Sequence, residues 1–134
     1  MNTIVNLKTQ WEALKQEQPH LRIRNAAEKL GVSEMELLVT NIGNSVTRLR
    51  PDFKDLLPEI ELLGKVMGLT RNEECVHERK GIYANADFSN PHAGLFVNED
   101  IDMRIFLSHW KKVFAVIEEN ARGISRSIQF FGKD

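Results

Sequence analysis

Near position 64 the residue pattern of the chain changes, and this change limits the folds open to it. Residues 1–64 carry apolar side chains at helical spacing, whereas residues 65–134 form short segments rich in β-branched and aromatic residues. Helices followed by consecutive strands are typical of an α+β domain. The sequence therefore predicts a single domain over residues 1–134, in which N-terminal helices pack on a mainly antiparallel β-sheet.

Two helices are predicted at the start of the helical part. The first ends before Pro19 and carries apolar residues at helical spacing, namely Leu7, Trp11 and Leu14. The second covers residues 22–30 and ends at Gly31, because glycine readily adopts the left-handed conformation that closes a helix. Its apolar stripe consists of Ile23, Ala26, Ala27 and Leu30.

Capping signals predict two further helical segments. Ser33 is a suitable N-cap for a third helix, and Glu36, three residues later, completes a capping box. Asp52 is expected to cap a short fourth segment, which Pro58 interrupts and Gly64 ends. The whole of residues 1–64 is therefore predicted to be helical or loop.

Six strand segments are predicted after residue 64, separated by Gly, Asn, Pro and Asp: residues 65–72, 75–85, 92–98, 100–107, 113–120 and 124–131. In the fourth segment the polarity alternates from Asp102 onward, as expected of a half-buried strand. The chain ends on Gly132-Lys133-Asp134, which is typical of a hairpin turn. We therefore expect the domain to be incomplete at its C-terminus, with a return strand lacking.

Composition excludes some classes of function. The net charge of −1 gives no general attraction to nucleic acid or to anionic membranes. No segment approaches the roughly 20 apolar residues that span a bilayer, and the N-terminus lacks the features of a signal peptide. Cys75 is the only cysteine, so no internal disulfide can form. The sequence predicts a cytoplasmic protein without membrane insertion.

Four segments in order resemble the HemS/ChuS family of cytoplasmic heme-utilisation proteins: LTRNEECVHERKGIY, HAGLF, DIDMRIFLSHW and SIQFF. Members of this family handle heme taken up by bacteria, and some degrade it. They are tandem repeats of two similar halves, and the chain resembles the N-terminal half, ending before its last strand and helices. The resemblance implies non-covalent binding of b-type heme, for transfer or for degradation. It leaves open which of these two activities the chain has.

The resemblance also points to Arg104. In DIDMRIFLSHW it matches the arginine that family members place at their heme site, on the face opposite the axial ligand. A guanidinium suits this role because it stays charged and can hold a heme propionate by a fork of donors. The alternative is an ordinary strand arginine, paired with Asp102 or with a neighbouring glutamate.

A heme also needs an axial nitrogen donor, and the chain contains four histidines. His77, inside the family-like RNEECVHE run, is the candidate for heme contact and for ligation of the iron. His92 lies in a predicted turn and is a weaker candidate. His20 is explained by its position at a helix end, and His109, beside Trp110, is assigned to packing or to the surface.

The family's usual axial histidine comes from the second half of the tandem repeat. The corresponding region here, LKTQWEAL, contains no histidine, so His77 must substitute or a second chain must supply the nitrogen. The expected partners are therefore heme itself, a second half-domain, a second copy of the chain, or a protein that accepts heme. Arg71 is a further candidate for a propionate contact. The aromatic residues that could line a heme slot are expected to be core: Phe106, Trp110, Phe114, Phe130 and Phe131.

Functions other than heme binding have weaker support in the residues. Residues 22–38 imitate a helix-turn-helix, but the second helix would present Glu34 and Glu36 to DNA phosphates, so helix packing is preferred over nucleic-acid binding. Cys75 and His77 could share a strand face as a nucleophilic pair, but nothing orients the imidazole. The alternative function is a structural half-domain that is inactive without its partner half.

Overall fold

A computed structural model describes residues 3–72, 74–99 and 101–132 of the chain, with side chains from Asn6 onward except that of Asn120. These residues form two compact units. Unit 1 is drawn from Met1–Arg50 and Lys111–Asp134, and unit 2 is drawn from Pro51–Trp110. No helix within the described residues has both the length and the apolar content needed to cross a membrane.

The helices of the structure are α1 (Thr3–Glu17), α2 (Ile23–Leu30), α3 (Glu34–Val39) and α4 (Phe53–Leu56), with 3-10 helices at Leu57–Leu63 and Leu107–His109. The strands are β1 (Val46–Leu49), β2 (Lys65–Arg71), β3 (Val76–Ile82), β4 (Ala86–Asp87), β5 (Gly94–Val97), β6 (Asp102–Ile105), β7 (Lys112–Asn120) and β8 (Gly123–Phe131). The predicted α+β class with antiparallel sheets is confirmed, although one strand, β1, lies within the part predicted to be helical.

The predicted helix ends in unit 1 are confirmed in detail. Gly31 closes α2 in the left-handed conformation, with φ of 71°. The Ser33 hydroxyl accepts a hydrogen bond from the Glu36 backbone N–H (3.1 Å), and the Glu36 carboxylate accepts one from the Ser33 N–H (3.0 Å). This is a complete capping box, and it fixes where α3 begins.

β1 was not expected, because residues 1–64 were predicted to hold no strand. It pairs with β7, with Val46 opposite Val116, and β7 pairs with β8 in an antiparallel sheet of order β1-β7-β8. Four residues are too few to show a clear alternation in the sequence. The partner of β1 lies far along the chain, so local pattern could not reveal this strand.

The core of unit 1 consists of two clusters of buried side chains. One joins α3 to the sheet through Leu38, Val46, Phe114 and Val116. The other joins the helices through Ala26, Ala27 and Leu37, with Trp11 packed against it. Residues 22–38 therefore pack as a compact helix pair, as the sequence predicted in preference to a DNA-binding helix-turn-helix. The small alanines of α2 allow this close approach of the helices.

Unit 2 begins with α4, which runs directly into the 3-10 helix Leu57–Leu63. Asp52 holds the N-cap position of α4, but its side chain makes no capping hydrogen bond, so that part of the prediction is wrong. The backbone of Asp52 has ψ of 70°, away from the extended conformation typical of a capping residue. Pro58 lies in the first turn of the 3-10 helix, where a missing N–H costs nothing, and Gly64 follows it.

The strands of unit 2 form two antiparallel sheets, a β2-β3 hairpin and a β4-β5-β6 sheet. Tyr83, after the hairpin, is buried and donates a hydrogen bond from its hydroxyl to the Arg79 carbonyl (3.1 Å). Its ring lies over Gly68 of β2 and meets Phe96 of β5 edge-on, at 5.9 Å between centroids. Tyr83 therefore joins the hairpin to the β4-β5-β6 sheet, and burial raises the pKa of its hydroxyl.

Candidate functional site

A cavity of about 300 Å³ lies in unit 2 between the β2-β3 hairpin and the segment that follows β5. Thr70 lines it from the hairpin. The rest of the lining comes from β6 and the 3-10 helix after it, with apolar walls formed by Met103, Ile105, Phe106 and Trp110. The polar part of that wall consists of Arg104 and His109. The cavity is therefore mainly apolar and contains one cation and one imidazole.

The alternation of β6 positions Arg104. Ile105, next to it, is buried, whereas Arg104 itself is exposed and lies opposite Leu95 of β5. Within the described part of the chain, Arg104 makes no ion pair with Asp102 or with any glutamate. Among the described residues, the structure therefore contains no ion pair of the kind that the alternative of an ordinary strand arginine requires. A guanidinium at such a position can bind an anionic ligand through its fork of donors.

The 3-10 helix Leu107–His109 turns the chain so that His109 reaches the same cavity as Arg104. The turn is held by hydrogen bonds from the His109 N–H to the Phe106 carbonyl (3.0 Å) and from the Trp110 N–H to the Leu107 carbonyl (3.1 Å). Trp110 in turn packs edge-on against Phe53 at 5.7 Å. The sequence assigned His109 to packing or to the surface, and the cavity lining is a role it did not identify.

His77 lies close to this cavity but on the other wall. It is exposed on β3 and is directly opposite Thr70 in the hairpin. Directly opposed residues of an antiparallel pair project to the same face, with their Cβ atoms about 4.5–5.5 Å apart. His77 is therefore one cross-strand step from a residue that lines the cavity. Arg71, the neighbour of Thr70 on β2, projects to the opposite face of the hairpin.

The remaining candidates lie elsewhere. His92 is exposed in the bend before β5, and its backbone N–H donates to the Asn90 side chain (2.7 Å), as expected of a turn. His20 is exposed after α1, in unit 1. Cys75 precedes β3 rather than lying on it, so the argument that it shares a strand face with His77 does not apply. No cluster of three metal-ligating side chains occurs among the residues that the structure describes.

The aromatic residues expected to be core divide into two groups. Phe114 is fully buried and Phe131 packs edge-on against it at 5.9 Å. Phe106 is 54% exposed, so the assignment of this residue to the core is wrong. It directly follows β6 and meets the His109 ring edge-on, 6.4 Å away between centroids. Its exposure at the cavity is what the heme-slot alternative required.

These residues match what an iron porphyrin needs from a protein. The ring needs apolar walls, its propionates need a cation, and its iron needs a nitrogen donor. The cavity offers apolar walls, the exposed Arg104 and the His109 imidazole, with His77 nearby. Bound heme would supply the redox chemistry, whereas these side chains would hold and orient it.

The chain belongs to the family of Haemin-degrading HemS.ChuX domains, which matches residues 31–134. Among curated proteins it is 39% identical to the hemin transport protein HmuS of Yersinia pestis over 127 residues. This alignment covers 94% of the chain and 36% of that protein. The recognition of the family from the four sequence segments is therefore confirmed.

Solved structures agree with this assignment. The chain superimposes on holo-PhuS, a heme-binding protein from Pseudomonas aeruginosa, with a TM-score of 0.91 and 49% identity. It superimposes on the Escherichia coli heme oxygenase ChuS with a TM-score of 0.83 and 34% identity. Both alignments cover 98% of the chain and 38% of the other. The chain thus spans well under half the length of these relatives.

Proposed function

We propose that this chain binds heme in the unit 2 cavity and serves bacterial heme utilisation. The observation that carries the proposal is the exposed Arg104, which makes no ion pair among the described residues, at an apolar cavity that His109 also lines. The names of the relatives support it, because HmuS is described as a hemin transport protein and PhuS as a heme-binding protein.

Each candidate residue has a distinct role in this proposal. Arg104 holds a propionate or a water on one side of the ring, because its fork of donors matches a carboxylate. His77 contacts the heme from the hairpin wall and is the proposed nitrogen donor to iron. Arg71 and His92 lie outside the cavity lining and are secondary candidates, acting on the part of the heme that projects from the cavity.

The proposed heme is b-type and non-covalent. The chain has one cysteine, whereas the c-type attachment motif requires two. We place the protein in the cytoplasm, as the family resemblance implies. A second half-domain, a second copy of the chain, or a heme acceptor protein is the proposed partner, because the family's usual axial histidine has no counterpart in LKTQWEAL.

Titration with hemin tests the proposal. Followed at the Soret band, the chain should show a saturable shift, and Arg104→Ala should weaken binding about 10- to 100-fold, since a charge-assisted hydrogen bond contributes about 1.5–3 kcal/mol. The matched control is Arg126→Ala, an exposed arginine on β8, which should leave the affinity unchanged. No saturable shift, or equal affinities for the two variants, would reject the Arg104 site.

Transfer and degradation are separated by a second measurement. The heme complex is mixed with ascorbate under air, and the Soret band is followed with time. Loss of the band together with release of iron would assign degradation to this chain. A band that persists, with the heme passing to an apoprotein acceptor such as apomyoglobin, would assign transfer.

A structural half-domain is the second candidate function. It is favoured by the lack of a histidine in LKTQWEAL and by the third of the relatives' length that the chain covers. If the chain alone shows no saturable hemin shift, the test moves to a full-length family protein. Hemin binding is then compared before and after mutation of the positions that correspond to His77 and Arg104, and a loss would show that this half contributes to a shared site. DNA binding is disfavoured, because Leu37 and Leu38 of α3 are buried and its first turn is acidic.

A further inference from the structure

We infer that His109 is an iron ligand of the heme cavity, donating a nitrogen from the wall that also carries Arg104. The inference rests on the proposed function, since it names a residue for the same cavity. It differs from the sequence-based assignment, in which His77 was the candidate ligand, His92 a weaker candidate, and His109 a packing or surface residue.

The lining of the cavity favours His109 over His77 as the ligand. His109 and Arg104 both line it, together with Thr70 from the hairpin. His77 is not itself a lining residue, although it is opposite Thr70. Of the candidate nitrogen donors, His109 is therefore the one placed directly at the apolar volume where the ring would lie.

The backbone around His109 is held in place by hydrogen bonds. His109 is the last residue of a 3-10 helix whose turn is closed by hydrogen bonds at both His109 and Trp110. Trp110 is in turn anchored on Phe53. A ligand on a held turn loses less conformational freedom on binding than one on a free loop, and this favours tight coordination.

The His109 imidazole itself is available to bind a metal. Within the described residues, no hydrogen bond occupies either ring nitrogen of His109, and its described ring neighbour is the edge of Phe106. Neutral imidazole is the commonest protein ligand for metals and binds heme iron through one nitrogen. An unoccupied imidazole beside an apolar cavity therefore has the lone pair that the iron needs.

Heme iron can take nitrogen donors from two protein side chains, and His109 and His77 would be the two residues that hold it in this cavity. His109 and Arg104 come from β6 and its 3-10 helix, whereas His77 comes from the hairpin. Coordination by His109 from one side and His77 from the other would give six-coordinate, low-spin hemin. A single histidine ligand would give high-spin hemin instead.

The test compares hemin complexes of the full chain with those of His109→Ala and His109→Gln. Soret position and low-temperature electron paramagnetic resonance report the spin state without any turnover. We expect a low-spin wild-type complex, and for both variants a high-spin complex with hemin affinity lowered at least tenfold. The matched control is His20→Ala, an exposed histidine of unit 1 outside the lining, which should keep the wild-type spectrum.

The outcomes separate this inference from the proposed function. If the wild type binds hemin and both His109 variants keep its spectrum and affinity, the inference is overturned while heme binding stands. If the wild type shows no saturable binding, the proposed function fails first. Far-UV circular dichroism and the thermal midpoint of each variant are measured alongside, and the exposed position of His109 predicts that both stay at their wild-type values.

Discussion

Unit 1 and unit 2 both bury aromatic residues, but unit 2 also leaves one exposed at its cavity. In unit 1 Phe114 is fully buried in the cluster between α3 and the sheet. In unit 2 Phe106 is 54% exposed and Trp110 is half-buried, both at the cavity. Burial of a large side chain stabilises a fold, whereas an exposed aromatic beside a cavity offers apolar surface to a ligand. The difference distinguishes aromatic residues that stabilise a core from the exposed ring that we propose contacts heme.

The chain allows this comparison to be measured one unit at a time. It contains two tryptophans, of which Trp11 lies in unit 1 and Trp110 in unit 2. Trp110→Phe leaves a reporter in unit 1, and Trp11→Phe leaves one in unit 2. Denaturant unfolding followed through each reporter shows whether the two units unfold together. In these two backgrounds, the stability of each unit is measured separately.

The largest effect is expected for Phe114→Ala. Removing a fully buried phenylalanine should lower the free energy of unfolding by about 3–5 kcal/mol, because apolar contacts are lost and a cavity remains. The matched variant is Phe106→Ala in unit 2, which should change the free energy by less than about 1 kcal/mol because the ring is already exposed. Equal losses in urea denaturation would remove the contrast between the units.

A smaller effect is expected for Gly68→Ala, within unit 2. A Cβ at this position would lie 2.6 Å from the Cζ atom of Tyr83, so the ring or the hairpin must shift. We expect a loss of about 1–3 kcal/mol from overpacking, seen through the Trp110 reporter. Leu69→Ala, on the opposite and exposed face of the same strand, is the control. A neutral Gly68→Ala would mean that Tyr83 does not hold the hairpin in place.

Ser33→Ala tests how much a local signal contributes in unit 1. Loss of the hydroxyl that accepts from the Glu36 N–H should cost about 1 kcal/mol. Ser125→Ala, at an exposed position of β8, should be close to neutral. If chemical denaturation followed at Trp11 shows no difference between the two variants, the capping box does not stabilise unit 1 measurably.

The smallest effect concerns pH and lies in unit 2. The backbone N–H of Ser89 and then its hydroxyl donate to Asp87 (2.9 and 2.7 Å), and they lower the pKa of this carboxyl. Because the folded pKa lies below the unfolded one, the contribution to stability is present above the unfolded pKa and is lost as pH falls through the folded pKa. Carboxyl NMR titration should show a pKa below the ordinary value, and Ser89→Ala should raise it. An unchanged pKa in Ser89→Ala would remove the hydrogen bonds as the cause.

Local signals predicted the helical half of the fold well and the site only in part. The first three helices, Gly31 and the Ser33–Glu36 box follow from neighbours in sequence, and the structure contains all of them. The family resemblance pointed to Arg104, which the structure places at the cavity. β1 was missed because its only support is pairing with β7, and Asp52 shows that a suitable residue type does not ensure a capping hydrogen bond.

By itself, the amino-acid sequence determined the α+β class, the family, the boundaries of the first three helices and Arg104 as a candidate site residue. These depend on residue types and on spacing along the chain. Only the tertiary structure decided that Phe106 is exposed, that Thr70 faces β6 across a cavity, and that His109 joins Arg104 there. Such relations depend on how the 3-10 helix turns after β6 and on how Tyr83 joins the hairpin to its neighbouring sheet. They arise from contacts between distant residues, which one-dimensional patterns do not contain.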